Sequence, residues 1–313
     1  MSAPKKAGDL IARLEQVRTR QGSRAAEDAP TPTEQPRGQV VQLPPWPEAL
    51  RAIPNHLARS SLFAPIARGR RKIHDGIELA SRSDVRILFS GKQLDEADCD
   101  VWMQALHEAR CVPLGQPVLI NRAEFLRAIG RSTGKKDYEW LYSAFDRLAF
   151  AMLSIRAKHY TIGGTPRRGA TRSEVMHLVD GFSHDPDLGT YVLRLDPRMV
   201  LLFSNREFAQ IDWDKRLRIE HQTDMAKWLQ RLVATSSDRI QRHSLDELKE
   251  RMQYSGHMRN FRAALKTALA ELARLKIIAK PRIELSTRGV EQSVWTRLGP
   301  VDLDCDDRSP ASG

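Results

Sequence analysis

The stretch that decides the fold is SLDELKERMQYSGHMRNFRAALKTALAELARLK, residues 244–276. Ser244 and Glu247 have the spacing of a capping box, in which each side chain satisfies an unpaired backbone N–H where a helix begins. We expect this helix to end near Gly256, because glycine readily adopts the left-handed backbone conformation that stops a helix. The next helix, from about His257 to Lys276, carries its apolar residues on one arc. They are Phe261, Ala264, Leu265, Ala268, Leu269, Leu272 and Leu275. A short helix, a glycine turn and an amphipathic helix are the pattern of a helix-turn-helix.

The remaining face of the second helix is basic. Its cations lie largely opposite the apolar arc: Arg259, Arg262, Lys266 and Arg274. The only acid on this helix is Glu271, and the alanines between the cations are small enough for close approach to a phosphate-lined groove. A charged helix face is more often only a solvated surface. The uniform sign of this face nevertheless favours a nucleic acid.

A basic hairpin follows the second helix. The sequence predicts a strand over Ile277–Leu285, a turn at Ser286–Gly289 and a return strand over Val290–Leu298. A hairpin in this position is the wing of a winged helix, which touches the DNA backbone or the minor groove beside the helix. The helix-turn-helix and the wing together predict DNA contacts by one set of residues. These are Ser244, His257, Arg259, Asn260, Arg262, Ala263, Lys266, Thr267, Lys280, Arg282 and Arg288.

The first half of the chain predicts a similar order of elements. The expected strands are Val85–Phe89, Pro117–Ile120, Met152–Tyr160, Glu174–Phe182 and Gly189–Leu195, and the expected helices are Asp95–Ala109, Arg122–Ile129 after the N-cap Asn121, and Lys136–Phe150. The sequence therefore predicts an α+β fold with two tandem winged-helix domains, 46–205 and 206–300. A disordered arm, residues 1–45, precedes them and could form a short amphipathic helix over Asp9–Arg20. An acidic tail, residues 301–313, follows them.

The two predicted domains differ in their surfaces. The third helix of the first domain mixes acids and bases, so it suits a phosphate groove poorly. A flexible cationic loop, residues 163–172, and the strand before it predict backbone contacts, although an ordinary solvated turn explains the loop equally well. Its candidate residues are Arg156, Lys158, Arg167, Arg168 and Arg172. Trp140 and Phe150 look exposed, which predicts self-association through this domain. Burial against the second domain is the alternative.

Composition agrees with a polyanionic partner and indicates no enzyme. The 313 residues include 50 Lys+Arg against 39 Asp+Glu, a net charge of +11. Residues 130–136 resemble a phosphate-binding loop, but only three residues separate the glycines and no Ser or Thr follows Lys135. The histidines form no metal-binding pair, and the three cysteines are too few and scattered for a zinc site or a disulfide framework. We expect no catalytic residue, no metal and no cofactor.

With no apolar run of about 18 residues and no secretory signal, we expect a cytoplasmic protein without membrane association.

Several segments resemble TrfA-type plasmid replication initiators, which belong to the iteron-binding Rep proteins with two winged helices. The resemblance covers about residues 43–300 and is most specific at Pro45–Asn55 and Ala58–Phe63. It continues through Arg70–Ile73, Ile87–Gly91, Asp98–Gln104, Leu114–Pro117 and Tyr142–Leu148, whereas Leu248–Leu275 matches the family's helix-turn-helix only in pattern.

The resemblance implies a bacterial, plasmid-associated protein that binds direct repeats (iterons) in double-stranded DNA at an origin. It implies opening of an AT-rich segment, recruitment of the host initiator and replicative helicase, and a role in copy control. It also implies a monomer–dimer equilibrium through the first domain. The family carries a clamp-binding motif ending in Leu-Phe before its Trp-Pro segment. Here Gln39–Pro44 lacks that pair, which puts sliding-clamp binding in doubt.

Two other functions fit the same sequence. A transcriptional regulator of the same fold would need no origin-opening step. A non-enzymatic interaction protein could use the positive charge to hold an acidic partner. Tandem repeats beside an AT-rich stretch in the neighbouring DNA would favour initiation, whereas a single inverted repeat at a promoter would favour repression.

Overall fold

A computed structural model of the protein describes residues 41–66, 71–157, 160–162, 175–185, 189–220 and 224–299. The fold mixes helices with mainly antiparallel sheets. Its helices are α1 (Asn55–Ala58), α2 (Glu96–Ala109), α3 (Arg122–Ala128), α4 (Lys135–Ala149), α5 (Trp213–Leu217), α6 (Asp224–Ala234), α7 (Leu245–Arg251) and α8 (Met258–Arg274), and a 3-10 helix covers Pro197–Arg206. Its strands are β1 (Leu50–Pro54), β2 (Phe63–Ala64), β3 (Ile73–Glu78), β4 (Val85–Lys92), β5 (Leu94–Asp95), β6 (Val118–Asn121), β7 (Met152–Ala157), β8 (Tyr160–Ile162), β9 (Met176–His177), β10 (Gly181–Asp185), β11 (Thr190–Arg194), β12 (Phe208–Asp212), β13 (Ile240–Ser244), β14 (Ile278–Leu285) and β15 (Glu291–Arg297).

The same strand order occurs in both halves. In the first half, β6 precedes two helices, α3 and α4, and pairs with β11, which pairs in turn with β10. In the second half, β13 precedes α7 and α8 and pairs with β15, which pairs with β14. The first half contains an additional sheet, β3-β4-β7-β8, with β9 paired to β7. The similarity of the two halves is therefore one of topology, as the sequence predicts.

Helix α2 is the central element of the first half. All of its 14 residues except Ala97 and Glu108 are buried. A capping box starts it: the Asp95 carboxylate accepts the Ala97 and Asp98 N–H groups, and the Asp98 carboxylate accepts the Asp95 N–H. Burial of so many residues on every side explains why its sequence has little amphipathic periodicity.

The segment that begins the family resemblance is anchored on α2. Trp46 Nε1 donates to His107 Nδ1 at 3.1 Å, and the other ring nitrogen of His107 lies 3.0 Å from Glu48 Oε1. Arg51 Nε donates to Gln104 Oε1 at 2.7 Å. These contacts hold β1 against α2, where β1 pairs with β12 in antiparallel register.

Helices α7 and α8 lie near their predicted positions, with two corrections. Ser244 Oγ accepts the Glu247 N–H at 3.2 Å, but the Glu247 carboxylate pairs with Arg251 instead of completing a capping box. Gln253, not Gly256, adopts the left-handed conformation, with φ of 51°. Gly256 is needed for another reason: a Cβ there would lie 2.7 Å from Cε1 of the Tyr254 ring. Strand β13, just before α7, contains only one apolar residue, Ile240, so the sequence analysis did not predict it.

Buried apolar side chains form two groups. The first includes Trp102, Phe145 and Trp213, and the second extends from Ile219 to Trp295. Because β12 pairs with β1, the chain after Glu207 packs with the first group through Trp213. The domain limits 46–205 and 206–300 stay a prediction. The tail, 301–313, and residues 1–40 of the arm lie outside the described residues.

A buried cluster of charges joins α2 to the second half. Arg216 Nη2 donates to Glu96 Oε2 at 2.8 Å, and Arg216 Nε donates to Asp100 Oδ1 at 2.5 Å. Arg231 also pairs with Glu96, and Lys227 Nζ lies 2.6 Å from Asp100 Oδ2. Burial favours the neutral form of Asp100, but the charges of Arg216 and Lys227 outweigh it and hold the pKa of that carboxyl below its usual value. Asp100 is therefore ionised in the folded protein.

Replacing Glu96 with Gln should destabilise the protein by about 3–5 kcal/mol, because it removes the counter-charge of the buried Arg231 guanidinium and one of the two carboxylates that Arg216 pairs with. Urea unfolding of the full chain measures this free energy. Glu78→Gln is the matched control, since its partner Arg86 and Glu78 are both more than half exposed, and it should cost less than about 1 kcal/mol. A loss for Glu96→Gln no larger than for the control would contradict this account of the cluster.

Because His243 is buried, we expect the free energy of unfolding to depend on pH. Its ring stacks on Trp295 at 5.1 Å, and burial, with the charges of Arg251 and Arg59, lowers its pKa to about 4. The unfolded chain binds this proton near pH 6.5 and the folded chain only near pH 4, so the stability present above pH 6.5 falls as pH drops between them. By pH 5 the loss should reach about 2 kcal/mol.

Urea unfolding of wild type and His243→Gln at pH 7 and pH 5 tests this. The variant should lose less stability than wild type over that interval, because glutamine does not titrate. Equal losses in the two proteins would show that folding does not change the pKa of His243, and would contradict this account.

Candidate nucleic-acid interface

The N-terminal half of α8 presents a continuous exposed stripe. Its apolar side is buried through Phe261, Leu265 and Leu269, while positions three or four apart on the other side are exposed. The exposed residues are His257, Arg259, Asn260, Ala263, Lys266 and Thr267. His257 is the N-cap residue, and its side chain makes no cap hydrogen bond. The first turn of α8 contains no acid, so no side chain of that turn cancels the positive end of the helix dipole at this stripe.

Arg262 differs from the other predicted residues of α8. Its guanidinium pairs with Glu291 of β15, and the side chain is about a third exposed. Arg262 therefore joins the helix to the start of the return strand. Ser244 likewise has a structural role, because its hydroxyl caps α7. The proposed contacts of these two residues with DNA stay predictions.

The last turn of α8 contributes less charge than its arginine suggests. Arg274 donates to the Glu271 carboxylate at 2.6 Å. This hydrogen bond lowers the pKa of Glu271 below its usual value against the opposing effect of burial. The ionised pair is locally neutral, so the positive charge of the helix is concentrated in its first half.

The hairpin β14–β15 carries its cations in three different settings. Lys280 is exposed and has φ of 51° at a bulge between Ala279 and Arg282. Arg282 donates to Glu284 at 2.6 Å, whereas Arg288 is exposed at the turn. Within the described part of the chain, Lys280 and Arg288 form no ion pair. Lys280 and Arg288 can therefore contact phosphates without losing an ion pair, whereas Arg282 would have to give up its pairing with Glu284.

The predicted contacts of the first half fall mostly outside the described residues. This applies to Lys158, Arg167, Arg168 and Arg172. Arg156 is described: it is exposed on β7, in register with Arg86 of β4. Of the two apolar residues predicted to be exposed, Phe150 is 69% exposed. Trp140 is less exposed than predicted. It is half-buried, because Cζ of the Arg131 guanidinium lies 3.4 Å from its ring centroid.

An open aromatic groove of about 620 Å³ lies between α4 and the β10–β11 strands. Arg122 forms part of its wall, with its guanidinium 4.7 Å from the Tyr138 ring centroid and Nη1 2.8 Å from His184 Nε2. The other lining residues are Lys135, Glu139, Tyr142, Ser143 and Tyr191. The sequence analysis missed this groove, because four elements, α3, α4, β10 and β11, supply its walls.

The sequence analysis also missed a contact at the turn between α7 and α8. Gln93 Nε2 donates to Gln253 Oε1 at 2.9 Å, which joins the end of β4 to the turn after α7. No local pattern around either glutamine indicates a partner 160 residues away. The pairing depends on the fold as a whole.

In the described ranges, no group of His, Cys, Asp or Glu side chains is placed to hold a metal ion. Among the same residues, no helix is both long enough and apolar enough to cross a membrane.

Comparisons with known proteins identify a family and structural neighbours. The model of the family described as TrfA protein matches residues 34–229. The plasmid replication initiator protein TrfA of Escherichia coli is 24% identical over 180 residues, which cover 56% of this chain and 45% of that protein. The chain thus spans less than half the length of this curated relative.

Two crystal structures of domains 2 and 3 of RctB are similar to this chain at 12% sequence identity. One has a TM-score of 0.49 and covers 78% of this chain and 98% of the other. The second has a TM-score of 0.43 and covers 77% of this chain and 96% of the other.

The exposed cations of the hairpin should contribute through charge alone. In the Lys280→Ala, Arg288→Ala double variant, each lost phosphate contact should reduce the slope of log affinity against log salt by about 0.9. Binding should weaken by a similar factor on every duplex sequence. Fluorescence anisotropy across a salt series measures the slope. Arg218→Ala is the control, because Arg218 is 63% exposed but pairs with Asp214. An unchanged slope in the double variant would exclude the hairpin from phosphate contact.

Proposed function

The chain belongs to the TrfA family, and on that basis we propose that it is a plasmid replication initiator that binds direct repeats (iterons) at a replication origin. The family match bears out the resemblance found in the sequence. The single observation that carries the DNA-binding part is the exposed basic stripe of α8 beside an exposed basic hairpin. Opening of the origin and recruitment of the host initiator and helicase belong to the same proposal and rest on family membership.

We further propose that each half is a winged helix. In the second half the support is the order α6, β13, α7, α8, β14 and β15, with β15 between the other two strands. In the first half the corresponding elements are α2, β6, α3, α4, β10 and β11, with β11 in the middle. In a winged helix, the third helix lies in the major groove and the hairpin flanks it. This assignment makes α8 the recognition helix.

The first turns of α8 suit base recognition. Arg259, Asn260 and Ala263 share its exposed face. An arginine can donate two hydrogen bonds to guanine, asparagine pairs similarly with adenine, and alanine can contact the thymine methyl group. Lys266 and Thr267, one turn later, suit phosphate contact. Arg262 would hold the hairpin against the helix through Glu291, so its loss should disturb the hairpin as well as the helix surface.

The first half would contact the DNA backbone and mediate self-association. Arg156 is exposed for the first role, and Phe150 lies exposed at the end of α4 for the second. The helix α4 carries both Lys135 and Glu139 at its surface. Because these charges have opposite signs, α4 suits the negatively charged major groove poorly. The proposal therefore gives sequence recognition to the second half.

Plasmid maintenance tests the proposed function. A DNA circle that carries this gene and its adjacent repeats, with no other origin, should be maintained in a suitable bacterial host. The Arg259→Ala, Asn260→Ala variant should fail, because each lost base contact costs about 1–3 kcal/mol of discrimination. Arg218→Ala should maintain the plasmid as wild type does.

Mobility-shift assays on base-scanned repeats identify the cause of that failure. The Arg259→Ala variant should lose preference at one position of the repeat and keep it elsewhere. Equal weakening on every sequence would restrict Arg259 to phosphate contact. A wild-type gene that represses a promoter but never maintains the circle would contradict initiation and favour a regulator.

A further inference from the structure

The tip of the β14–β15 hairpin carries two exposed apolar side chains. Leu285 is 67% exposed and Val290 is 45% exposed. They flank the turn Ser286–Gly289, in which Arg288 is also exposed. A large apolar side chain at the outermost point of a basic hairpin gains nothing from water, so a contact with another molecule is the simplest reason for it to be there.

The turn holds these side chains in fixed positions. Ser286 N–H donates to Val290 O at 2.8 Å, and Val290 N–H donates back to Ser286 Oγ at 3.1 Å. Gly289 donates to Ser286 O at 2.9 Å and has φ of 73°. This is a three-residue hairpin loop with glycine in the left-handed position. A tip braced in this way loses little conformational entropy when it binds.

The tip lies beside the start of α8. Leu285 pairs with Glu291 across the hairpin, and the Glu291 carboxylate pairs with Arg262, one turn into that helix. Ile283, two residues before Leu285, shares its face of the strand and packs on the second group of buried apolar residues. Leu285 therefore extends the inner face of the hairpin past the core, next to the exposed stripe of α8.

We propose that Leu285 is a wedge that inserts between two base pairs of the bound duplex from the minor groove and bends it, with Val290 supporting it. Apolar side chains that enter the minor groove unstack a base step in this way. The neighbouring charges favour DNA over a protein as the occupant, because Arg288 at the turn and Arg259 and Lys266 on α8 form no ion pair in the described part of the chain. The inference rests on the proposed function, in which α8 lies in the adjacent major groove.

The test uses the full chain and a duplex that wild-type protein selects from a random-sequence library. Fluorophores at the duplex ends report bending by energy transfer, and 2-aminopurine at successive positions reports unstacking. Wild type should bring the ends together and raise 2-aminopurine fluorescence at one step. Leu285→Ala should abolish both signals and weaken binding roughly tenfold. Its slope of log affinity against log salt should stay that of wild type, because no phosphate contact is lost.

Ile240→Ala is the matched control. Ile240 is 49% exposed on β13 of the same sheet, and its partner Thr296 lies at the end of that sheet away from the turn. This variant should bend and unstack the duplex as wild type does. Leu285→Met, which keeps a long apolar side chain, should retain most of the bend. Thermal melting of each variant verifies that it folds.

Three results would overturn the wedge without contradicting the proposed function. If Leu285→Ala, Val290→Ala protein bends and unstacks the duplex as wild type does, the tip does not insert. If the variant binds one site normally and loses only cooperativity between adjacent sites, the tip contacts a neighbouring protein molecule. If wild type binds the duplex but leaves it straight, the wedge fails and the proposed function stands. Failure of wild type to select any duplex would instead contradict the proposed function, and the wedge with it.

Discussion

Two buried carboxylates on one helix determine how the parts of this protein are arranged. Glu96 and Asp100 of α2 face Arg216, Lys227 and Arg231, which all come from the second half of the chain. Removing five charged groups from water is expensive, and only a complete set of partners compensates for it. An arrangement of the two halves that separated these partners would leave ionised groups buried without a counter-charge. The cluster therefore favours one orientation.

The charge cluster also influences the proposed DNA-binding surface, through α6. Lys227 and Arg231 on this helix contact the charge cluster, while Trp228 and Leu229 belong to the core that also buries one side of α8. The Gln93–Gln253 hydrogen bond adds a direct link from the first half to the turn before α8. The exposed stripe of α8 is thus held by packing on its buried side, and the turn before α8 is held by a hydrogen bond from the first half.

How much the sequence predicts depends on the range of the interaction. The apolar spacing of α8, the Asn121 cap and the β14–β15 hairpin follow from local periodicity and turn chemistry, and they were predictable. The β1–β12 pairing and the aromatic groove need partners far along the chain, so local patterns do not predict them. The same limit applies to charge. From the sequence alone, Glu96 looks like an ordinary acid at a helix start, and Arg262 looks like a residue that reads bases. Only their distant partners, Arg216 and Glu291, show their roles in the fold.

Hydrogen exchange of the full chain, free and bound to a selected duplex, tests the central claim most directly. That claim is that one face, formed by α8 and the tip of its hairpin, binds DNA. We predict that DNA slows exchange mainly in the peptides that cover residues 257–267 and 285–290. Protection confined to other surfaces, with the exchange of α8 and the hairpin unchanged, would contradict it.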